Sequence, residues 1–294
     1  MAVKHITNEC GMWSTPGVEL ECGIQSSQCE NQSAELDLRI PIILAVDTSS
    51  LRLSLAITRG PEVIATCAEE AQAPHSQTLF PRLAALLDSV QLAPPSIDAF
   101  AVATGPGSFT GLRVGLAAVK GLAHTLGRTA IGVTSLDGLA LAAGVVGRVV
   151  AMIEAGRSEV YCGLREVSAD GEVIKMGEDQ VGPVSVLLAR LGSNLHSSGL
   201  VFVGEGARHY RDEIAALAVQ AGTQLQTMPQ SPGVLFARPE RAEGLSSAVW
   251  QLKDEPLNLA PPIAVQAHRL FSLGACPGAH AYYIRPSDAE LKCR

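Results

Sequence analysis

Three short polar stretches carry the residue types from which a site is built. Asp47-Thr48-Ser49-Ser50 follows an apolar run. A carboxylate at a strand end can hold a metal ion, and hydroxyls with turn amides can cradle a phosphate. The same residues also make an Asx-turn, in which Asp47 only satisfies neighbouring amides. Thr104 to Gly111, TGPGSFTG, offers glycines for close approach, a stiffening Pro106, and Ser108 or Thr110 as a helix cap. A helix N-terminus with free amides binds anions, but the Gly-Lys-Ser/Thr ending of a P-loop is missing. A capped turn and a phosphate cradle therefore both stay open. Gly204-Glu205-Gly206 is a third glycine turn at a strand end, which in a duplicated fold would face Asp47-Thr48-Ser49 across a cleft. Glu154, Arg157 and Glu159 read as a salt-bridged strand–turn–strand.

Other chemistries are excluded by what is missing. No H-x-x-x-H, H-E-x-x-H or G-x-S-x-G occurs, and the seven cysteines include no C-x-x-C. A reduced cytoplasmic protein is expected. The net charge of -7 argues against this chain as the main nucleic-acid surface. LALAAGVVGRVVAMI is broken by Arg148, so no membrane span is expected, and the polar MAVKHITNEC does not read as a secretory leader.

The elements that position these loops follow from hydrophobic periodicity. Hydrophobic residues are 47% of the chain and aromatics only 4%, which favours helices on buried strands over a β-sandwich. Residues 1–39 lack periodicity and read as a disordered extension or a misjudged translation start. From Ile40 the order is three strands, a helix over about Ser76–Val90, a strand, a helix over about Phe109–Leu126, a strand and a short helix. A second β-β-β-α-β-α series begins near Arg148 and ends with a helix over about His209–Ala221. Beyond Met228, prolines punctuate a stretch with one short helix, roughly Glu240–Leu252. The expected domains are 1–39, an N-terminal lobe over 40–145 and a C-terminal lobe with an irregular tail over 146–294. The Phe109–Leu126 helix is apolar on more than one face and must be covered on more than one. Gly111, Gly115 and Ala118 would let another helix approach, and the surplus apolar surface makes a subunit interface a live option.

ILAVDTSS, HSQTLFPRLAALL, IDAFAVATGPGSFTGLRVGLAAVKGLA, GVTSL, EAGRSEVYCGL, VGEGA and YYIRP occur in an order that resembles the TsaB (YeaZ) family. That family is the dimerization subunit of the bacterial machinery that makes threonylcarbamoyl-adenosine beside the tRNA anticodon. The resemblance runs from about residue 41 to 290, and GPGSFTGLRVGL is its specific part. It implies an α/β, two-lobed actin-like ATPase/sugar kinase fold with duplicated β-β-β-α-β-α lobes. It implies a non-catalytic relative of the transferase TsaD, whose metal-binding histidines are matched here only by His124, with Lys120 four residues earlier; a single imidazole holds no iron or zinc centre. No cofactor is expected, beyond weak ATP or ADP in a vestigial cleft at Asp47, Thr48, Ser49, Gly204, Glu205 and Gly206. The implied partners are a TsaD-like catalytic subunit, a TsaE-like ATPase, a second copy of the chain, and tRNA only through the complex. The implied partner face comprises His75, Leu79, Leu83, Leu86, Leu112, Arg113, Leu116, Ala117 and Lys120. The alternative is an active actin-fold ATPase or small-molecule kinase, with a metalloprotease a distant third.

Overall fold

The computed structural model describes residues 40–70, 72–191, 199–228 and 249–284. The expectation for residues 1–39 lies outside them. β1 (Ile42–Asp47), β2 (Arg52–Arg59) and β3 (Glu62–Glu70) form an antiparallel meander. α1 (His75–Ser89) crosses to β4 (Ala99–Ala103), and α2 (Phe109–Leu126) crosses to β5 (Thr129–Val133), both parallel to β1. The sheet order is β3-β2-β1-β4-β5, and α3 (Ser135–Ala142) leads out of it.

β6 (Gly147–Gly156), β7 (Glu159–Val167) and β8 (Val173–Lys175) form a second meander, to which β9 (Gln180–Gly182) adds a short strand against β7. α4 (Val184–Leu191) precedes β10 (Leu200–Val203), and α5 (Glu205–His209) and α6 (Arg211–Gln220) precede β11 (Leu225–Thr227) and β12 (Trp250–Leu252). The order β8-β7-β6-β10-β12 repeats the first sheet strand for strand, with β11 added at the edge. The chain therefore has the duplicated two-lobed architecture of the actin-like class.

Several expectations change. The helix expected over about His209–Ala221 is α6, and a short helix precedes it. That preceding helix, α5, starts at Glu205, so Gly204-Glu205-Gly206 is a helix start rather than a free turn. Trp250–Leu252, expected to close a helix, is a strand paired parallel to β10; residues 240–248 of that expected helix lie outside the described residues. The proline-rich tail instead contains α7 (Ala260–Ser272), a regular helix whose Pro261 and Pro262 sit in its first turn, where no intrahelical N–H is lost.

α7 explains a second surprise. β2 alternates Leu53, Leu55 and Ile57 with Ser54 and Thr58, as a strand with one wet face should. Ser54 and Thr58 are nevertheless buried. α7 lies on that face, and its first amide, on Ala260, donates to Ser54 Oγ at 2.9 Å. The first sheet is thus covered on both sides. Leu44, Val46, Phe100 and Val102 pack against Leu79, Leu83, Leu112, Leu116 and Val119 of α1 and α2. Ile43, Ala45 and Ala101 pack on α3 and α7, in a core that also contains Val149, Ala151, Ile153 and Val203 of the second sheet. The two lobes share that core. Each fully buried Leu, Ile or Val contributes about 1.5–3 kcal/mol, so separating the lobes is costly.

Candidate functional site: the interlobe cleft and the helix pair

At the lobe junction lies a cavity of about 290 Å³, lined by residues including Ser49, Ser50, Arg52, Ile153, Glu205 and Arg208. Its first loop is tied into the fold. The Ser49 amide donates to Asp47 Oδ1 at 2.9 Å, which is the Asx-turn. Thr48 Oγ1 donates to the Gly111 carbonyl at 2.8 Å, and the Ser108 amide donates to the Ser49 carbonyl at 2.6 Å. The His75 ring nitrogen Nε2 lies 2.9 Å from the Ser50 carbonyl. A Cβ on Gly107 would collide with the Ser49 carbonyl, and one on Gly111 with the Thr48 carbonyl. These glycines let the N-terminus of α2 press directly on the 47–50 loop, and Ser108 caps the helix by accepting from the Gly111 amide at 3.2 Å. Gly111 and Gly115, expected to admit another helix, instead admit Thr48.

The second lobe supplies Glu205 from the first turn of α5. Burial pushes its carboxyl above the ordinary range; the Glu154 charge and, more weakly, the Asp47 charge add to this, and Arg208 opposes it. Asp47 is also raised, by burial, with the Ser49 hydrogen bonds and His75 pulling the other way. Asp47 at the end of β1, Glu154 near the end of β6 and Glu205 at the start of α5 thus lie close enough to feel one another's charge, while Thr48 and Gly206 turn into packing. The Thr48 hydroxyl and the Ser49 amide that the sequence offered to a phosphate are spent inside the protein. Arg52 and Arg208 line the same cavity, so it carries both signs of charge. Among the described residues no group of three His, Cys, Asp or Glu has the arrangement of a metal site.

The helix pair requires a larger correction. Leu79, Leu83, Leu86, Leu112 and Leu116, expected at a partner face, lie in this chain's own core; Leu116 is 7% exposed and Leu79 wholly buried. They pack toward the first sheet, with only the edges of Leu83, Leu86 and Leu116 reaching the surface. His75 is half-buried and bonded to the cleft loop, which leaves Arg113, Ala117 and Lys120 at the surface. Between α1 and α2 the surface instead holds an apolar groove of about 370 Å³, lined by Phe80, Pro94, Ala117, Gly121, Leu122 and Leu126, with Ala118 and Thr125 completing it. Phe80 is 51% exposed at its edge. A Cβ on Gly121 would meet nothing within 4 Å.

Sequence reasoning missed one cluster altogether. Arg165 on β7, 1% exposed, grips Asp179 through Nη1–Oδ1 at 2.7 Å and Nη2–Oδ2 at 3.0 Å. Its Nε also bonds Asp137 of α3. Tyr282 of the C-terminal tail donates its hydroxyl to Asp179 at 3.1 Å, and its amide donates to the Thr104 carbonyl at 2.8 Å. The tail also pairs with β5 through Gly278 and Ile131. Arg165, Asp137 and Asp179 are far apart in sequence and match no motif; only the placement of a charged residue mid-strand hinted at a buried partner. Nearby, burial pushes the Cys162 thiol up to about 12, so it is not a nucleophile.

The strand order, the duplicated lobes and the cleft at their junction define an actin-like two-lobed protein. The chain matches the family model described as TsaD: tRNA N6-adenosine threonylcarbamoyltransferase over residues 66–224, just over half its length. It is 37% identical over 123 residues to the tRNA threonylcarbamoyladenosine biosynthesis protein TsaB of Bacillus subtilis, covering 42% of this chain and 54% of that protein. It is 31% identical to Escherichia coli TsaB over 176 residues, 58% of this chain and 74% of that one. The solved structure of YeaZ from Pseudomonas aeruginosa superposes with a TM-score of 0.63 at 27% identity, over 83% of this chain and 99% of that one. The chain belongs to the TsaB (YeaZ) family. The match spans about half the length of the Bacillus relative.

Proposed function

We propose that this chain takes part in making threonylcarbamoyladenosine in tRNA, as a non-catalytic subunit that binds and positions a TsaD-like transferase in the cytoplasm. The observation that carries this is the groove between α1 and α2: an apolar, solvent-open surface on two otherwise well-packed helices, with a glycine at its centre. Exposed apolar surface of this kind marks an interaction site. In the cleft, the Thr48 hydroxyl and the Ser49 amide are engaged within the chain. A TsaE-like ATPase would join at or near the heterodimer, tRNA would be met through the complex, and a second copy of this chain is the alternative occupant of the groove. No described helix is long and apolar enough to cross a membrane.

The test is reconstitution. The chain mixed with the TsaD-like transferase of the same organism should give a complex with the summed mass by light scattering. Threonylcarbamoyl transfer to tRNA should require both proteins, with none from this chain alone. Transfer by the TsaD-like protein alone at the full rate would refute the reading.

An actin-fold ATPase or kinase remains the second reading, favoured by the cleft itself, which is of ligand size. Calorimetry with ATP and magnesium distinguishes them. Micromolar binding with turnover by the isolated chain would support the ATPase; the scaffold reading expects neither.

A further inference from the structure

The charge around the groove is opposite to that of the whole molecule. The chain carries 29 acidic and 22 basic residues, yet α2 contains no Asp or Glu, and its exposed edge presents Arg113, Ala117, Lys120, Gly121 and His124. On α1 Arg82 is engaged by Glu69 at 2.7 Å, and a single carboxylate, Asp88, lies in the last turn. The edge continues beyond the helix. The Arg113 guanidinium stacks 3.8 Å from the Phe109 ring centre, and Phe109 packs on Tyr283 of the tail at 5.4 Å. Phe109 and Tyr283 are 38% and 46% exposed. The neighbouring Tyr282 is held by Thr104 and Asp179, so this aromatic shelf is fixed in place.

We infer that the groove and this shelf form one continuous docking surface for an acidic helix: a partner segment with small apolar side chains for the groove, flanked by carboxylates that pair with Arg113 and Lys120. The inference rests on the proposed partner role of the α1–α2 face and adds the chemistry of what covers it. Charge complementarity selects the occupant. An interface core is apolar while its charged rim sets encounter rate and partner choice. In an acidic protein, a cationic rim draws in an acidic partner and presents like charges to a second copy packed edge to edge.

The test measures affinity of the full chain for the TsaD-like transferase against salt, for wild type, Arg113→Glu/Lys120→Glu, the milder Arg113→Gln/Lys120→Gln, and Gly121→Arg. Wild-type affinity should fall as salt rises. The double Glu variant should bind about 10- to 100-fold more weakly at low salt and recover affinity as salt rises, while the Gln pair should bind with intermediate affinity and a flattened salt response. Gly121→Arg fills the groove and reports on the face itself. If Gly121→Arg abolishes binding while both charge variants bind like wild type with a flat salt response, the acidic-helix inference is overturned and the face stands. If Gly121→Arg binds like wild type, the face and the inference fall together. Self-association that strengthens as salt rises, without transferase binding, would assign the surface to a second copy and overturn the inference.

Discussion

Gly111 and Gly121 lie on the same helix, and the same substitution should have opposite effects at the two positions. A methyl at Gly111 runs into the Thr48 carbonyl, backbone that cannot yield without moving the cleft loop. Gly111→Ala should cost about 3 kcal/mol, the range of overpacking against a rigid neighbour. Gly121→Ala meets open space and removes glycine's entropic cost in a helix interior, so it should stabilise by about 0.5–1 kcal/mol. Urea unfolding of both variants reads the two signs directly. Asp47 tests the cleft. Its folded pKa lies above the ordinary 3.8, as does that of Glu205 above 4.5. A raised carboxyl contributes stability that is complete below the unfolded pKa and lost as pH rises through the folded one. Asp47→Asn keeps an acceptor for the Ser49 amide and removes the buried charge. Its melting temperature should therefore exceed wild type at pH 7, and the gap should close on acidification. A variant less stable than wild type at pH 7 would show that the Asp47 charge is wanted where it stands.

At the scale of elements, the sequence was clearest where one side of an element is dry and the other wet. α1 and α2 follow from the spacing of Leu79, Leu83 and Leu86 and of Leu112, Leu116 and Val119, and the ends of α2 fall where Ser108 caps and Gly127 turns left-handed. A regular apolar stripe marks the face toward the sheet, where Leu79, Leu83, Leu86, Leu112 and Leu116 pack, while the surface groove is lined by residues such as Ala117 and Gly121 that no stripe marks. α7 was hidden because Pro261 and Pro262 resemble punctuation, and only the tertiary fold reveals them as a helix start. The Asp47 turn leaves both outcomes open at the level of sequence, since nothing local says whether a hydroxyl will be spent on a distant carbonyl. The Arg165 cluster was illegible because its partners are brought together from α3, the 179 loop and the tail. It should nonetheless be a keystone. Arg165→Met leaves the buried Asp179 with only Tyr282 and Lys175 as partners among the described residues and should cost about 3 kcal/mol. Tyr282→Phe removes one of several donors to Asp179 and should cost about 1 kcal/mol. Thermal unfolding of the two variants should preserve that ranking.

For the whole molecule, the shared core matters most. α3 and α7 lie within one apolar cluster that includes strands of both lobes, and Lys253 of the second lobe reaches the Ala143 carbonyl at 3.2 Å. The shared core and this hydrogen bond join the lobes into one shape. In the proposed role, that shape presents the α1–α2 edge and the Tyr283 shelf to a transferase. The most direct test is a binding titration of the TsaD-like transferase with wild type and Gly121→Arg, the fold of the variant checked by its melting temperature. The account predicts a tight one-to-one complex with wild type and at least about a 100-fold loss with the correctly folded variant, of the order of a central interface residue. Equal affinity for both would contradict it.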